Sequence, residues 1–513
     1  MSNNRENSKR IAKNTVLLYV RMLFLMVIGL YSSRVILQTL GVEDFGIYNV
    51  VGGFVALFAI VSQSLSSASS RFFTFALGKG ENSELSKVFS STLIIHILLA
   101  IIIVVLAEVI GVWFVNNKMV IPEERLTAAN WAFQFSVLSF CVTIISVPYN
   151  AAIIAHEKMN AFAFISIFEG VAKLVICYLL IISPIDKLIF YAILLFGVNF
   201  ITRWLFYIYC KRHFVECRFQ FIHDKNLMKE LFSFAGWNFI GSTAAILRDQ
   251  GGNVLVNLFG GPVVNAARAV ANQVLHVVQG FVESFMTAIR PQITKSYSCG
   301  DNEYMTSLIF YGSRLSFYML LILSLPILIN TDFLLCLWLK NVPDHSILFV
   351  QLTLVFILIE SLSYTLITAQ QATGNIRNYQ IIVGGIQLLN VPVSYVLLKL
   401  GGVPETIMYV AIFFSVSSLF ARLLILKSNE IKLDFWSFFK KVLLNVLAVS
   451  IISSIPPIIA KGYFHEGFVD FIIISTICLL STSVAIFFIG FNTKERQMTL
   501  LKVKQIKSRI IDD

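Results

Sequence analysis

The stretch AILRDQGGNVLVNLFGG, residues 245–261, sets an arginine and an aspartate in the middle of a run otherwise apolar enough to cross a bilayer. It follows an apolar, aromatic lead-in that begins at Phe232. In hydrocarbon a charged side chain near the midplane costs at least roughly 2.5–3.5 kcal/mol, so such residues face a bundle interior or a water-filled cavity. Arg248 stands ten residues before Leu258, about 15 Å along a helix axis, which is too deep for escape to a headgroup region. Whether this is a lumen cation depends on what the rest of the chain is.

The composition settles the medium. The 513 residues are 57% hydrophobic and 13% charged with a mean hydropathy of +0.79, above the roughly 45–50% apolar content of soluble proteins. Runs of the roughly 20 apolar residues needed to span hydrocarbon fall at 14–37, 46–67, 90–115, 129–154, 160–183, 187–209, 232–258, 263–289, 306–330, 347–370, 378–398, 403–426, 438–460 and 468–490, which predicts an all-α integral membrane protein of fourteen helices. Residues 1–13 (MSNNRENSKRIAK) form a basic leader that runs into the first helix with no small-residue cleavage site, so that helix is expected in the mature protein.

Orientation follows from Lys and Arg, which accumulate in cytoplasmic loops. With the amino terminus inside, 26 of the 40 basic residues fall in inner segments and 6 in outer loops, and both termini are predicted to be cytoplasmic. The net charge of +11 is then topology signal and attraction to anionic lipid, and no nucleic-acid partner is expected. Seven scattered cysteines and seven scattered histidines show neither a disulfide framework nor metal-ligand spacing. GxGxxG, Walker A and GxSxG motifs do not occur, so no cofactor, no metal and no enzymatic activity is expected.

An internal repeat organises the chain. At an offset of 219 residues, Leu40-Gly41 aligns with Phe259-Gly260 and SSASSRFFT (66–74) with FMTAIRPQI (285–293), setting Arg71 on Arg290; one residue of slippage then matches Gly80–Asn82 with Gly300–Asn302. This divides the chain into a leader 1–13, a lobe 14–209 (helices 1–6), a basic cytoplasmic linker 210–231, a lobe 232–426 (helices 7–12), appended helices 13 and 14 over 427–490, and a basic cytoplasmic tail 491–513. Two six-helix lobes related by a parallel repeat are a transporter architecture with the substrate path near the midplane. The tail alternates basic residues with Leu500, Leu501, Val503, Ile506 and Ile510, the pattern of an interfacial helix.

Helix 8 carries the sharpest pattern. Asn265, Arg268, Asn272, His276, Gln279, Glu283 and Arg290 share one helical face, and helix 7 has a weaker counterpart in Asn238, Ser242, Asp249, Asn253 and Asn257. One or two such residues serve as packing glue between helices, whereas seven on one face predict a polar cavity. Arg203, Arg314 and Arg422 lie near inner helix ends and Arg34 near an outer one, so snorkelling is expected of all four. Lys173 is deep, with Glu169 one turn before it, a pair that reads equally as a neutralising salt bridge or as an ion relay. Arg21 is intermediate, and Glu43-Asp44 fits an N-cap for a helix starting near Phe45. The membrane set comprises eight cations against five acids (Glu108, Glu169, Asp249, Glu283, Glu360), a bias that suits phosphate or carboxylate rather than cationic solutes. The lumen residues expected to coordinate an anion are therefore Arg248, Arg268, Arg290, Arg21, Asn272, His276 and Gln279; those expected to couple an ion are Asp249, Glu169, Lys173, Glu283 and Glu360.

The segments RIAKNTVLLYVRMLFLMVIGLYSSRVILQTLGVEDFGIYNVVGG, FSFAGWNFIGS, LVNLFGGPVVNAARAVANQV and IRPQITKSYSCGDNE resemble the Wzx-type O-antigen and polysaccharide flippases of the multidrug/oligosaccharidyl-lipid/polysaccharide (MOP, MATE-like) exporter superfamily. The resemblance runs over nearly the whole chain. It implies a bacterial inner-membrane protein that moves undecaprenyl-diphosphate-linked oligosaccharide from the inner to the outer leaflet by alternating access, as a monomer, for O-antigen, capsular or exopolysaccharide synthesis. Its implied partners are the lipid-linked oligosaccharide, membrane lipids and polysaccharide polymerase or assembly enzymes, with coupling to an H+ or Na+ gradient left open. Two other classes compete: a MATE-type drug or small-solute antiporter, marked by net acidity in the first-lobe cavity, and a membrane glycosyltransferase or polymerase on the same lipid carrier, marked by a sizeable outer loop. Neither mark is present in the sequence.

Overall fold

The computed structural model describes residues 2–497 apart from 57, 81, 118, 120, 184, 221–223, 340–341, 429–430, 432, 464–466 and 494. Among the described residues every regular element is a helix, as a bilayer demands of backbone groups that must find partners within their own segment. Among the described residues eleven helices are long and apolar enough to span by length and composition, three fewer than the fourteen runs read from the sequence. The runs at 232–258 and 263–289 lie in one helical stretch, Lys225–Ser298, whose polar stripes lower its hydropathy. The run at 46–67 is broken where one helix ends at Ala56 and the next begins at Ala59. The interfacial helix expected of the tail falls on residues 498–513, outside the described residues.

The chain forms two compact units. The first comprises Met1–Thr243, Thr287–Asp301 and Gln371–Gln380, and the second Ala244–Met286, Asn302–Gln370 and Ile381–Asp513. The first unit holds helices α1 (Ser2–Ala56), α2 (Ala59–Lys79), α3 (Asn82–Leu106), α4 (Val112–Asn117), α5 (Leu126–Ile145), α6 (Val147–Ala155), α7 (Met159–Ile181), α8 (Lys187–His213) and both ends of α9 (Lys225–Ser298). Within it α1 packs on α7, α5 on α8 and α2 on α6. Ala128, Ala129 and Ala132 of α5 are buried with Phe133, Val51 and Ala192, small residues that let membrane helices approach closely.

Two glycines bend helices of the chain and two more end them. Gly41 (φ 82°) kinks α1 and Gly261 (φ 76°) kinks α9. Gly80 (φ 75°) and Gly300 (φ 73°) close the following turns, donating to the carbonyls of Leu77 and Tyr297 at 3.2 and 3.0 Å. Left-handed backbone costs an L side chain roughly 1–2 kcal/mol, so these positions favour glycine. Gly261 follows Gly41 by 220 residues and Gly300 follows Gly80 by the same 220. The repeat register is therefore 220 throughout, and the 219 offset read around Gly41 is corrected: the Gly260-Gly261 doublet let the alignment slide by one. Arg71 then falls opposite Pro291 rather than Arg290.

Each end of the first unit is closed by a charged cluster. At one end Arg125 donates through Nε to Asp44 at 2.8 Å and pairs with Asp186 at 2.5 Å, while Asp186 also caps α8 through the N–H groups of Leu188 and Ile189. Burial pushes the Asp186 carboxyl up, but the Arg125 and amide hydrogen bonds outweigh it and hold the group below its ordinary value. Asp44 thus serves Arg125 rather than the N-cap expected of it, and the Glu43 side chain lies outside the described residues. At the other end Glu157, at φ 56° with its side chain 1% exposed, receives Arg10 Nε at 2.8 Å, Lys295 Nζ at 2.8 Å and Gln292 Nε2 at 2.6 Å. Residues 44, 125 and 186 come from three segments expected on the outer side, and 10, 157 and 295 from three expected on the inner side, so the alternation of loops is coherent. Single cysteines at 123 and 463 on a cysteine-free background are expected to react with impermeant reagents on intact cells, and those at 79 and 87 only after permeabilisation. External labelling at 79 or 87 would overturn the orientation.

The second unit holds the central part of α9 with α10 (Asn302–Ile329), α11 (Thr331–Trp338), α12 (Ser346–Ser361), α13 (Tyr364–Thr373), α14 (Arg377–Leu388), α15 (Asn390–Lys399), α16 (Thr406–Ser428), α17 (Phe435–Phe438), α18 (Leu444–Lys461) and α19 (Phe468–Ala485), of which 371–380 belong to the first. Here α12 packs between α10 and α16, and α18 and α19 dock on α10. A π-turn at Ile486–Gly490 ends α19 and presents carbonyls to its neighbours. Gly490 O accepts from Arg314 Nη1 at 3.0 Å, and Ile489 O accepts from Asn445 Nδ2 at 2.9 Å. Arg314 also pairs with Glu495 at 2.6 Å, so it is tied to the last helix instead of snorkelling.

Candidate functional site

The second unit gathers five charged groups from three helices. On α9, Arg248 Nε donates to Asp249 Oδ1 at 2.9 Å, with the Arg248 side chain 16% and the Asp249 side chain 61% exposed. The Arg248 guanidinium lies 5.1 Å from the centre of the Phe356 ring on α12. Beyond the Gly261 kink, Arg268 folds back onto the same segment, donating through Nε to Asn253 Oδ1 at 2.6 Å and through Nη2 to the Asp249 carbonyl at 3.3 Å. Gly252 makes this approach fit, because a Cβ there would stand 2.6 Å from Arg268 Nη2.

The remaining two charges bridge α12 and α16. Arg422, 2% exposed, lies 3.5 Å from Glu360 and donates to Ser363 Oγ at 2.8 Å, while Ser415 donates to Glu360 Oε2 at 2.6 Å. Glu360 and Arg422 both act electrostatically on Arg248. Snorkelling is therefore wrong for Arg422: its guanidinium is buried in an ion pair. Three arginines face two carboxylates, and the cluster keeps one positive charge in excess. It holds four sequence-derived candidates of opposite expected roles, Arg248 and Arg268 against Asp249 and Glu360.

The lower part of the helix 8 stripe follows the same face. Asn272, Gln279 and Glu283 are half-buried and His276 is exposed, whereas Ala267, Ala271, Val278 and Val282 are buried. If the stripe lines water, cysteines at 272, 276 and 279 are expected to react with small polar thiol reagents while 267, 271 and 278 stay protected. Equal reactivity on both faces would favour packing glue. Arg290 is half-buried and belongs to the first unit.

In the first unit Lys173 Nζ pairs with Glu169 Oε1 at 2.7 Å, and Arg203 Nη2 lies 3.9 Å from the same carboxylate. Arg21 adds a fourth charge to this group, its guanidinium 4.5 Å from the centre of the Phe162 ring and under the influence of Glu169. Three cations thus share one acid, which is more than the two-residue salt bridge legible in the sequence. Arg34 is exposed. A recess of about 250 Å³ is lined by residues of α1, α5 and α8, among them Ser136, Ser139, Thr143 and Asn199. Sequence reasoning keyed on charge passed over it, although Ser136, Ser139 and Thr143 share a face of α5. Among the described residues no group of three His, Cys, Asp or Glu side chains is placed to hold a metal ion.

This cationic, membrane-embedded arrangement has known relatives. Residues 11–297 match the family described as polysaccharide biosynthesis protein. The uncharacterized membrane protein EpsK of Bacillus subtilis (strain 168) is 21% identical over 301 residues, which span 58% of this chain and 59% of that protein. Among solved structures, a MATE in complex with MaD3S superposes with a TM-score of 0.71 over 83% of this chain and 97% of its own, at 12% identity. A MOP superfamily transporter from Pyrococcus furiosus with a binding pocket of reverse polarity does so with a TM-score of 0.67 over 81% and 94%, at 13% identity. Identities this low carry the fold alone. The chain is a multi-pass membrane protein with a MATE-like fold and belongs to the polysaccharide biosynthesis protein family.

Proposed function

We infer that this protein flips undecaprenyl-diphosphate-linked oligosaccharide from the inner to the outer leaflet of the bacterial cytoplasmic membrane by alternating access. The observation that carries the reading is the charge excess around Arg248: four buried or half-buried groups and the exposed Asp249, at membrane depth, leave one positive charge in excess. A diphosphate crossing hydrocarbon depth needs such counter-charges, and planar guanidinium forks match phosphate oxygens. A drug antiporter shares the fold of the MATE neighbours, but a cationic drug would meet repulsion here. The first-unit group of Arg21, Lys173 and Arg203 around Glu169 is biased the same way.

The test is a deletion strain analysed for surface polysaccharide and for its lipid-linked precursor. Loss of polymer with precursor accumulating on the cytoplasmic side is the expected result. Single repeat units exported without polymer would assign a polymerase, and unchanged polysaccharide with altered drug sensitivity would assign an antiporter.

A further inference from the structure

A second cationic site lies inside the first unit. A cavity of about 500 Å³ is lined by Arg71, Lys229, Glu230, Phe234, Trp237 and Arg377, with the turn Thr373–Ile376 along its rim. Its volume falls in the range of small-molecule sites, roughly 300–1,000 Å³. Three cations face one acid. Arg71 is fixed at the base: its guanidinium lies 4.6, 4.7 and 5.8 Å from the ring centres of Phe72, Phe75 and Phe234, and Nη2 donates to the Ala372 carbonyl at 3.1 Å. Gly374 permits that approach, since a Cβ there would stand 2.5 Å from Nη2. The buried Nε of Arg71 meets no hydrogen-bond partner among the described residues, a donor that costs free energy while unmade. Arg377 stacks 5.7 Å from Trp237 and opens α14, whose amino end adds positive dipole to the rim with no acid in its first turn.

The geometry points to a binding site for a phosphate or diphosphate group, with Arg71 as the half-buried fork and Lys229 and Arg377 as the exposed lip. Phe232, Phe239 and Ile240, exposed on α9 beside the cavity, give a hydrocarbon tail a surface to lie on, so the favoured source is a lipid headgroup. The site stands on its own residues; only the choice of an isoprenyl-linked diphosphate rests on the flipping reading. All the charged lining residues fall in segments that the Lys and Arg bias places on the inner side, where a substrate made in the cytoplasm is first met.

The test uses the purified full chain in a neutral detergent, titrated with farnesyl diphosphate and separately with inorganic pyrophosphate. Both are expected to bind, farnesyl diphosphate at least about 10-fold tighter, and the exposed double variant Lys229→Gln/Arg377→Gln is expected to weaken both by about 10-fold or more. Gly374→Ala, which displaces Arg71 without removing charge, is expected to do the same. Equal affinity for the two probes would assign the site to a soluble diphosphate. Absence of binding, or binding undiminished in both pocket variants, overturns the site. Because this assay needs no transport, its failure leaves the export reading standing, and a deletion strain that accumulates no precursor sinks the export reading while leaving the binding result intact.

Discussion

Arg248→Ala is expected to slow export of the lipid-linked oligosaccharide by about 10- to 150-fold, the rate equivalent of the roughly 1.5–3 kcal/mol of one charge-assisted hydrogen bond lost from the path of a diphosphate. The geometry explains why this residue rather than its neighbours carries the effect. Arg268 is engaged with Asn253 and the Asp249 carbonyl, and Arg422 with Glu360 and Ser363. Without Arg248 the cluster falls from one positive charge to none. Lysine is expected to rescue in part, restoring charge without the bidentate fork, and Arg248→Gln to fail as alanine does. Stability is expected to change little, because the Asp249 partner is 61% exposed and exposed ion pairs contribute roughly 0–1 kcal/mol. Full export by Arg248→Gln at matched protein levels would make Arg248 a structural partner of Asp249 and move the search for the diphosphate to Arg21, Arg268 or Arg290.

Glu360→Ala is expected to act on the fold instead. It strands a guanidinium that is 2% exposed and leaves the Ser415 hydroxyl without its acceptor; breaking a buried pair by removing one partner costs roughly 3–5 kcal/mol. In a detergent-solubilised preparation this should appear as a sharply lowered thermal midpoint by size-exclusion monitoring, with Glu360→Gln intermediate. Replacing both partners, as in Glu360→Leu with Arg422→Met, should recover most of the loss, since apolar substitution of a whole buried pair is often neutral or stabilising. A double variant whose loss equals the sum of the two single losses would show that the pair is not coupled, and Glu360 would return to the ion-coupling candidates.

Much of this was legible in the sequence because a bilayer imposes so few solutions. Apolar run length marks the helices, Lys and Arg their loops, and the polar residues of helices 7 and 8 the face that avoids lipid. What escaped was pairing between helices distant in the chain. Position alone places Arg422 near a helix end and suggests snorkelling; only the packing of α12 on α16 brings Glu360 within 3.5 Å of it. The same holds for Arg314 and Glu495, 181 residues apart. Uncharged recess residues such as Ser139 and Asn199 were passed over because hydroxyl and amide groups are cheap enough in membranes to serve as glue, so their type carries little information until geometry groups them. Register was misread by one residue for a simpler reason: side-chain similarity cannot choose between two adjacent glycines, whereas the sign of φ can.

The glycine pairs at a constant 220-residue interval separate shape from chemistry. Gly41 and Gly261 set bends, and Gly80 and Gly300 set stops, through a backbone region that side chains disfavour. None of the four contributes a charge or a hydrogen-bonding side chain. Everything between them is free to differ: Arg71 stands where the second copy has Pro291, and the first copy carries Arg125 and Glu157 clusters of its own. A duplicated chain built this way can be rewritten for a new cargo, residue by residue along its polar faces, while the angles at which its helices turn stay as they were.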